Sequence, residues 1–190
     1  METFPKEVEL RTGTASLSLM SREDASAMQA FASNLPAHDL MFLRRDIVKP
    51  EIIESWVKKI EAGNNISLIA KIDGNIIGYG TLSVGDIDWS RHVAELRIMV
   101  APDSRETGIG RTLVRELFRL AVKRDIEKIY ARMTVDQTGA RKLFQELGFR
   151  PEALLANEVK DRAGELHDVL SMAVDVDAFL ARRDIYGLNA

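Results

Sequence analysis

One segment, Val93–Arg124, constrains the fold more than any other part of the chain. Its first part has the period of two of a β-strand, with Leu96, Ile98 and Val100 on one face before Pro102 ends the run. Its second part has apolar residues at helical spacing from Gly110 onward, namely Leu113, Val114, Leu117, Leu120 and Ala121. The segment therefore predicts a strand, a tight turn and a helix in direct succession.

The turn contains two glycines and reads Arg-Glu-Thr-Gly-Ile-Gly from Arg105 to Gly110. The first N–H groups of a helix have no partner within the helix and carry the positive end of its dipole. Glycine also lets a phosphate approach the backbone closely. The pattern favours an anion-binding turn, and the alternative is a glycine-rich connection that only turns the chain.

Two well-known phosphate loops do not fit this turn. A Walker A loop ends in Gly-Lys followed by Ser or Thr, whereas Gly110 is followed by Arg111 and Thr112. The dinucleotide-binding fingerprint needs a third glycine at the position where this chain has Leu113. We therefore set both nucleotide-binding classes aside.

The pattern that remains is a strand ending Val-x-Pro, followed by Arg-x-x-Gly-x-Gly. It resembles the acetyl-CoA-binding motif of the GNAT superfamily of acyl-CoA N-acyltransferases. The resemblance implies that the strand splays from its neighbour, that its backbone binds the pantetheine arm, and that the loop amides hold the CoA pyrophosphate. Carried over, the arm positions are Ile98, Met99 and Val100. The pyrophosphate positions are Arg105, Glu106, Thr107, Gly108, Ile109, Gly110 and Arg111.

A second block, Gln-x-x-Ala-x-x-Leu-Phe-x-x-x-Gly-Phe from Gln137 to Phe149, also resembles the family pattern. Many members have Asn where this chain has Gln137. Many have a tyrosine, able to protonate the CoA thiolate, where this chain has Phe144. Both positions are predicted cofactor contacts. Because phenylalanine cannot donate a proton, we expect Phe144 to be a core residue with no role as a proton donor. Water or another donor then protonates the thiolate, or it leaves unprotonated.

The resemblance implies direct attack of an amine on the acetyl thioester. An alkylammonium group with a pKa of about 10.4 must first lose its proton, so a base or a water chain is needed. Our leading candidate is Glu95, four residues before Met99, where several GNAT enzymes place a catalytic glutamate; the alternative is a surface or salt-bridged strand residue. Backbone N–H groups near Met99 and Val100 would stabilise the developing negative charge. Weaker candidate bases on loops are Asp86, Asp88 and Glu165.

The remaining segments predict an α/β fold with a mixed, mostly antiparallel sheet of six or seven strands flanked by helices. Further strands are expected at Ser16–Met20, Ile66–Lys71, Ile76–Val84, Lys128–Val135, Leu154–Lys160 and His167–Val174. Gly78 and Gly80 predict a bulge or a close backbone approach. One helix is expected after a Ser21 N-cap and another from Pro50 to Gly63. Their connection carries His38, Asp39, Arg44, Arg45 and Asp46; the resemblance implies an acceptor pocket there, and the alternative is a solvated loop.

Composition limits the class of protein. A chain of 190 residues with 46% hydrophobic and 29% charged residues suits one domain over residues 1–190, with its core over about 16–175. The absence of cysteine excludes disulfides, thiol catalysis and cysteine-ligated metals. His38, His92 and His167 lack the spacing of a zinc site, so we expect acetyl-CoA as co-substrate and no metal.

The charge and hydropathy patterns bear on partners and location. A net charge of −3 provides no broad basic field for nucleic acid. No run of about 20 apolar residues could span a membrane, and the N-terminus lacks an apolar core for export. We therefore expect a cytoplasmic protein with neither nucleic acid nor membrane as a partner, and a homodimer is left open.

Two functions stay open at this point: an N-acetyltransferase, and a non-catalytic acyl-CoA-binding sensor or regulatory module. The missing tyrosine at Phe144 keeps the second one open. The acceptor, a small-molecule or peptide amine, is not identified by the sequence. Acidic residues near the expected pocket favour a cationic amine, namely Asp86, Asp88, Glu95, Glu158 and Asp161.

Overall fold

The computed structural model describes residues 4–36, 39–40, 46–85, 87–161 and 163–185. Predictions for His38, Arg44, Arg45 and Asp86 therefore lie outside the described residues. Within the described part of the chain, no helix is long and apolar enough to cross a membrane.

Eight strands form one sheet in the order β1-β2-β3-β4-β5-β6-β8-β7. The strands are β1 (Lys6–Leu10), β2 (Gly13–Leu19), β3 (Asn65–Ile72), β4 (Asn75–Val84), β5 (Val93–Val100), β6 (Lys128–Thr134), β7 (Arg150–Lys160) and β8 (Leu166–Asp175). The helices of the described residues, apart from short 3-10 turns, are α1 (Ala25–Ser33), α2 (Pro50–Glu61), α3 (Ile109–Val122), α4 (Thr138–Glu146) and α5 (Val176–Ile185). The predicted fold class is confirmed.

Two elements were not predicted. β1 pairs antiparallel with β2, which makes Ser16–Leu19 part of the second strand and raises the sheet to eight strands. The sequence signal was the alternation in Lys6–Leu10, whose outward residues are charged. Helix α5 also follows β8 directly, and the carboxylate of Asp175 accepts the Ala178 N–H at 2.8 Å as a helix cap does.

The chain forms two compact units, one of residues 1–83 and 97–120 and one of residues 84–96 and 121–190. In the first, antiparallel pairing joins β1 to β2, β2 to β3 and β3 to β4. Asp73 and Gly74 form the two-residue turn between β3 and β4 with φ of 49° and 81°, which matches the predicted hairpin. A buried cluster packs α1 and α2 on β3, β4 and β5, and includes Met28, Phe31, Val57, Ile69, Tyr79 and Met99.

Close packing explains the two glycines of β4. A Cβ atom added at Gly80 would lie 2.6 Å from Cδ1 of both Ile98 and Leu117, and one at Gly78 would lie 2.9 Å from the Met99 carbonyl oxygen. Both distances are too short for a real side chain. Both predicted alternatives are found at Gly78: the β3–β4 register shifts between Ala70 and Lys71, opposite Gly78 and Ile76, and the β5 backbone approaches Gly78 closely. This approach brings β4 against the part of β5 that carries the predicted pantetheine positions.

In the second unit, β6 pairs antiparallel with β8, and β8 pairs with β7. The first residues of β5 pair parallel with β6, from Val93 opposite Lys128 to Glu95 opposite Tyr130. This register ends there, although β5 continues to Val100 and β6 to Thr134. The end of the ladder is the local feature expected of a splayed strand.

Candidate active site

The predicted pyrophosphate loop has an unusual backbone. After a 3-10 turn at Pro102–Ser104, Glu106 and Gly108 adopt φ of 64° and 101°, and α3 then begins at Ile109. The buried Thr107 hydroxyl donates to the Ser104 carbonyl at 2.8 Å, which closes the loop on itself. Alternating backbone conformations of this kind turn successive N–H groups to one side, as an anion-binding nest does.

Gly108 shows why a glycine is present in this loop. Its positive φ is costly for other residues, and an added Cβ would meet nothing within 4 Å. The glycine is therefore required by backbone conformation and not by packing against the protein. The open space beside it allows an anion to approach the N–H groups at the start of α3.

The predicted pantetheine positions on β5 differ in burial, since Met99 is buried whereas Ile98 and Val100 are half-buried. Met99 is packed in the buried cluster under α1 and α2, and Ile98 lies against Gly80 and the α3 face. The Ala101 N–H donates to the Ile77 carbonyl of β4 at 2.9 Å. Since N–H groups alternate in direction along a strand, the Val100 N–H points to the edge away from β4.

Glu95, the candidate base, belongs to the second unit and is one of its buried charged residues, with 6% of its surface exposed. It occupies the last register pair of the parallel ladder, opposite Tyr130. This burial shows that the surface-residue alternative is wrong. The other alternative, a salt-bridged strand residue, is compatible with the structure.

Gln137 lies on the turn that leads into α4, and Phe144 lies on α4 itself, both within the second unit. The Gln137 side-chain oxygen accepts the Thr134 N–H at 3.2 Å and so shapes the turn after β6. Phe144 is 5% exposed and packs edge-on against Phe149, with ring centroids 4.8 Å apart. Phe144 is therefore a core residue, as predicted, and its side chain has no hydroxyl that could protonate the CoA thiolate.

The weaker candidate bases have their own local roles. Asp88 pairs with Arg91 at 2.8 Å on an exposed 3-10 turn. The Glu165 backbone N–H donates to the carboxylate of Asp161, which also contacts His167 Nε2 at 3.1 Å. The hydrogen bond from His167 lowers the pKa of the Asp161 carboxyl, assisted by the Glu165 and Ala163 N–H groups. Among the residues that the structure describes, no cluster of His, Asp and Glu could hold a metal.

Two contacts to the loop were not expected from the sequence. Arg105 forms an ion pair with Asp39, which follows α1. Arg11, in the turn between β1 and β2, donates its N–H to the Thr107 carbonyl at 3.1 Å. The structure thus gathers residues 98–100 and 105–111, together with these two, in the first unit, while Glu95, Gln137 and Phe144 belong to the second.

The chain belongs to the acetyltransferase (GNAT) family, since the family model matches residues 28–149. An L-amino acid N-acetyltransferase of Escherichia coli (strain K12) is 29% identical over 107 residues, which cover 56% of this chain. The match spans 65% of that relative's length.

Solved structures show the same fold. Ribosomal-protein-alanine N-acetyltransferase from Brucella melitensis is similar with a TM-score of 0.75 at 24% identity, over 84% of this chain and 98% of that one. The structure of yncA from Salmonella typhimurium, with its cofactor acetyl-CoA, has a TM-score of 0.75 at 18% identity, over 86% of this chain and 94% of that one. At these identities the likeness establishes the fold alone.

Proposed function

We propose that this chain transfers the acetyl group of acetyl-CoA to a primary amine by direct attack. The observation that carries the proposal is the loop before α3, with positive φ at Glu106 and Gly108, in a chain that belongs to an acetyltransferase family. We also propose that residues 1–190 act as one catalytic domain, since the family match includes residues of both compact units.

The residues of the first unit fit acetyl-CoA. The Arg105 N–H already donates to the Pro102 carbonyl at 3.2 Å. In the proposal, residues Arg105–Arg111 bind the pyrophosphate, with the N–H groups from Glu106 onward and the Arg105 side chain facing it, and the backbone of Ile98–Val100 binds the pantetheine arm. The Met99 side chain is buried in the cluster under α1 and α2, so at that position only backbone groups are offered to the arm. Gln137 and Phe144 are proposed as further cofactor contacts. Acetyl-CoA itself supplies an activated acyl group and a thiolate leaving group.

Glu95 is the proposed general base. It accepts a proton from the acceptor ammonium, directly or through one water, so that the amine attacks in its neutral form. Of the two predicted N–H donors to the thioester carbonyl, the geometry favours Val100, because its N–H is directed away from β4. Such a donor stabilises developing charge because its position is set before the reaction.

The leaving thiolate does not receive its proton from Phe144. A thiol has an ordinary pKa of about 8.5, so a thiolate is a tolerable leaving group at neutral pH. Water, or direct release of the thiolate, completes the reaction in this proposal. The buried ring of Phe144 contributes shape and an apolar surface.

The acceptor class proposed for the first tests is a free L-amino acid. Support comes from the name of the Escherichia coli relative.

Thiol release from acetyl-CoA, followed with a panel of amines, tests the proposal. The panel contains L-amino acids, the amines formed by removing their carboxylates, a polyamine and a short peptide. We expect amine-dependent release, with kcat/KM higher for an amino acid than for its decarboxylated form. Binding of acetyl-CoA without release for any amine would instead support the acyl-CoA-binding sensor that the phenylalanine at 144 keeps open.

A further inference from the structure

We propose that Arg11, in the turn of the N-terminal hairpin, orients the peptide groups of the cofactor loop so that their N–H groups face the pyrophosphate. Arg11 is a positioning residue in this inference, which rests on the proposed function of the loop. The hairpin consists of β1, β2 and their two-residue turn, closed by the pair Leu10 and Gly13.

Two consecutive loop carbonyls accept hydrogen bonds from Arg11. Its backbone N–H donates to the Thr107 carbonyl at 3.1 Å, and its Nη1 donates to the Glu106 carbonyl at 3.5 Å. A trans peptide is planar, and its C=O and N–H point in opposite directions. Holding these two carbonyls toward Arg11 therefore directs the N–H groups of Thr107 and Gly108 away from it. Two adjacent N–H groups turned to one side form the concavity that binds an anion.

The loop needs such a restraint from outside. Glu106 has φ of 64°, which is uncommon for a residue with a side chain and costs on the order of 1 kcal/mol or more. Within the loop, the Thr107 hydroxyl donates to the Ser104 carbonyl and accepts the Ile109 N–H at 3.5 Å, and neither bond involves the Glu106 or Thr107 carbonyl. The contacts from Arg11 direct these two carbonyls.

Arg11 is itself held in place. Lys6 at the other end of β1 pairs with the buried Glu116 of α3, with Nζ and Oε2 2.5 Å apart. The β1–β2 register fixes the turn relative to that anchor. The hairpin therefore contacts both the loop and the helix that follows it. The Arg11 side chain is exposed, so its positive charge is also available to attract the phosphates of the cofactor.

Position in the chain explains why sequence patterns did not indicate this role. Arg11 and Glu106 are 95 residues apart, and the family model matches from residue 28 onward. The hairpin thus lies outside the matched segment, and we assign it to the cofactor site from its contacts alone.

The inference is tested by calorimetric titration of CoA and of pantetheine, which lacks the pyrophosphate. Arg11→Ala removes the side-chain bond and the charge, Arg11→Lys keeps the charge, and Arg11→Pro removes the backbone donor. We expect Arg11→Ala to weaken CoA binding about three- to tenfold and Arg11→Pro to weaken it more, with pantetheine affinity unchanged and partial recovery in Arg11→Lys.

Thr14→Ala is the matched control, because Thr14 is on the same hairpin and donates to Glu9 at 3.0 Å, not to the loop. Thermal unfolding of each variant checks the fold, and amide NMR shifts of Thr107 and Gly108 on CoA addition report loop orientation. Equal CoA affinity in wild type, Arg11→Ala and folded Arg11→Pro overturns the inference. Equal loss of CoA and pantetheine binding also overturns it. Failure of the wild type to bind CoA would instead overturn the proposed function.

Discussion

The guanidinium of Arg105 forms an ion pair with the carboxylate of Asp39, which joins the cofactor loop to the segment after α1. Asp39 is largely covered, with 13% of its side chain exposed, whereas the Arg105 side chain is 49% exposed. The Asp39 N–H also donates to the Pro36 carbonyl at 3.0 Å, which holds the Asp39 backbone in a local turn. A negative charge therefore lies beside a loop that we propose binds pyrophosphate.

We predict that Asp39→Asn strengthens CoA binding up to about fivefold, because the change removes a charge that repels phosphate and competes for Arg105. The gain should shrink as salt is raised, since the interaction is screened. Titrations at two ionic strengths measure both effects. Asp73→Asn, in the β3–β4 hairpin turn, is the charge-matched control. Weaker binding in Asp39→Asn would show that the acid positions Arg105 instead of competing for it.

Substitutions at Gly110 test whether the loop binds pyrophosphate, because a larger side chain there would crowd the ligand. Gly110→Ala and Gly110→Val add increasing bulk in the first turn of α3 without losing helix propensity, because glycine is the poorest helix former after proline. We expect CoA affinity to fall progressively, by about tenfold or more for valine, with the unfolding midpoint in urea retained. Gly108 is less suitable because its φ of 101° strains any replacement. An unchanged CoA affinity in folded Gly110→Val would contradict the assignment of the loop.

Phe144→Tyr restores a hydroxyl where the family often has one. The ring is buried against Phe149, so the new group costs about 1–3 kcal/mol unless it finds a partner, and Tm should drop by a few degrees. Turnover should stay the same or rise, since the thiolate then has a potential proton donor. Steady-state rates with saturating CoA donor measure it. A loss above about tenfold, with CoA binding intact, would mean that the phenyl ring itself packs the thioester.

Glu95→Gln separates the catalytic role from a structural one. The amide keeps the shape but cannot accept a proton, so kcat/KM at pH 7 should fall by at least about a hundredfold. That corresponds to about 3 kcal/mol of transition-state stabilisation. Activity should recover as the pH rises toward the pKa of the amine, and CoA affinity should hardly change. Rates within about threefold of wild type over pH 6–9 would mean that Glu95 is not the general base. The base would then be Asp88, a water chain, or Asp86, which lies outside the described residues.

Asp24 links stability to pH. Its carboxylate accepts the Ser21 N–H at 2.8 Å and pairs with Lys71 Nζ at 2.6 Å. Burial alone would raise the pKa of this carboxyl, but Lys71 and Ser21 outweigh it and hold the pKa below its ordinary value. The stabilisation is therefore fully present above the unfolded pKa of about 3.9, and is lost as the pH falls through the folded value.

We accordingly expect Asp24→Asn to lower the free energy of unfolding by about 1–2 kcal/mol at pH 7. The difference from wild type should narrow as the pH falls below about 4, because the unfolded chain then binds a proton at Asp24 that the folded carboxylate takes up only at lower pH. Urea unfolding at both pH values measures it, with the neighbouring exposed Glu23→Gln as the control. A difference that is independent of pH would contradict the ionic role of Asp24.

Several elements were predictable because their signals are local. Three signals specify their elements within a few residues: the change of period at Val93–Arg124, Pro50 at a helix start, and Asp73 and Gly74 at a hairpin turn. The turn before α3 was predictable for the same reason, since its glycines and the helix start are adjacent. β1 was missed because it has few apolar residues and gains its place in the sheet by pairing with β2.

Apart from β1 and α5, the sequence by itself determined the order of strands and helices, and it also determined the loop at residues 105–111 and the lack of a hydroxyl at Phe144. Only the tertiary structure decided that Glu95 is buried at the end of a parallel ladder. It also decided that Asp39 and Arg11 contact the loop, across separations of 66 and 95 residues respectively. Periodicity and turn chemistry act between near neighbours, whereas such contacts depend on how distant segments pack, and no local pattern in the chain records that.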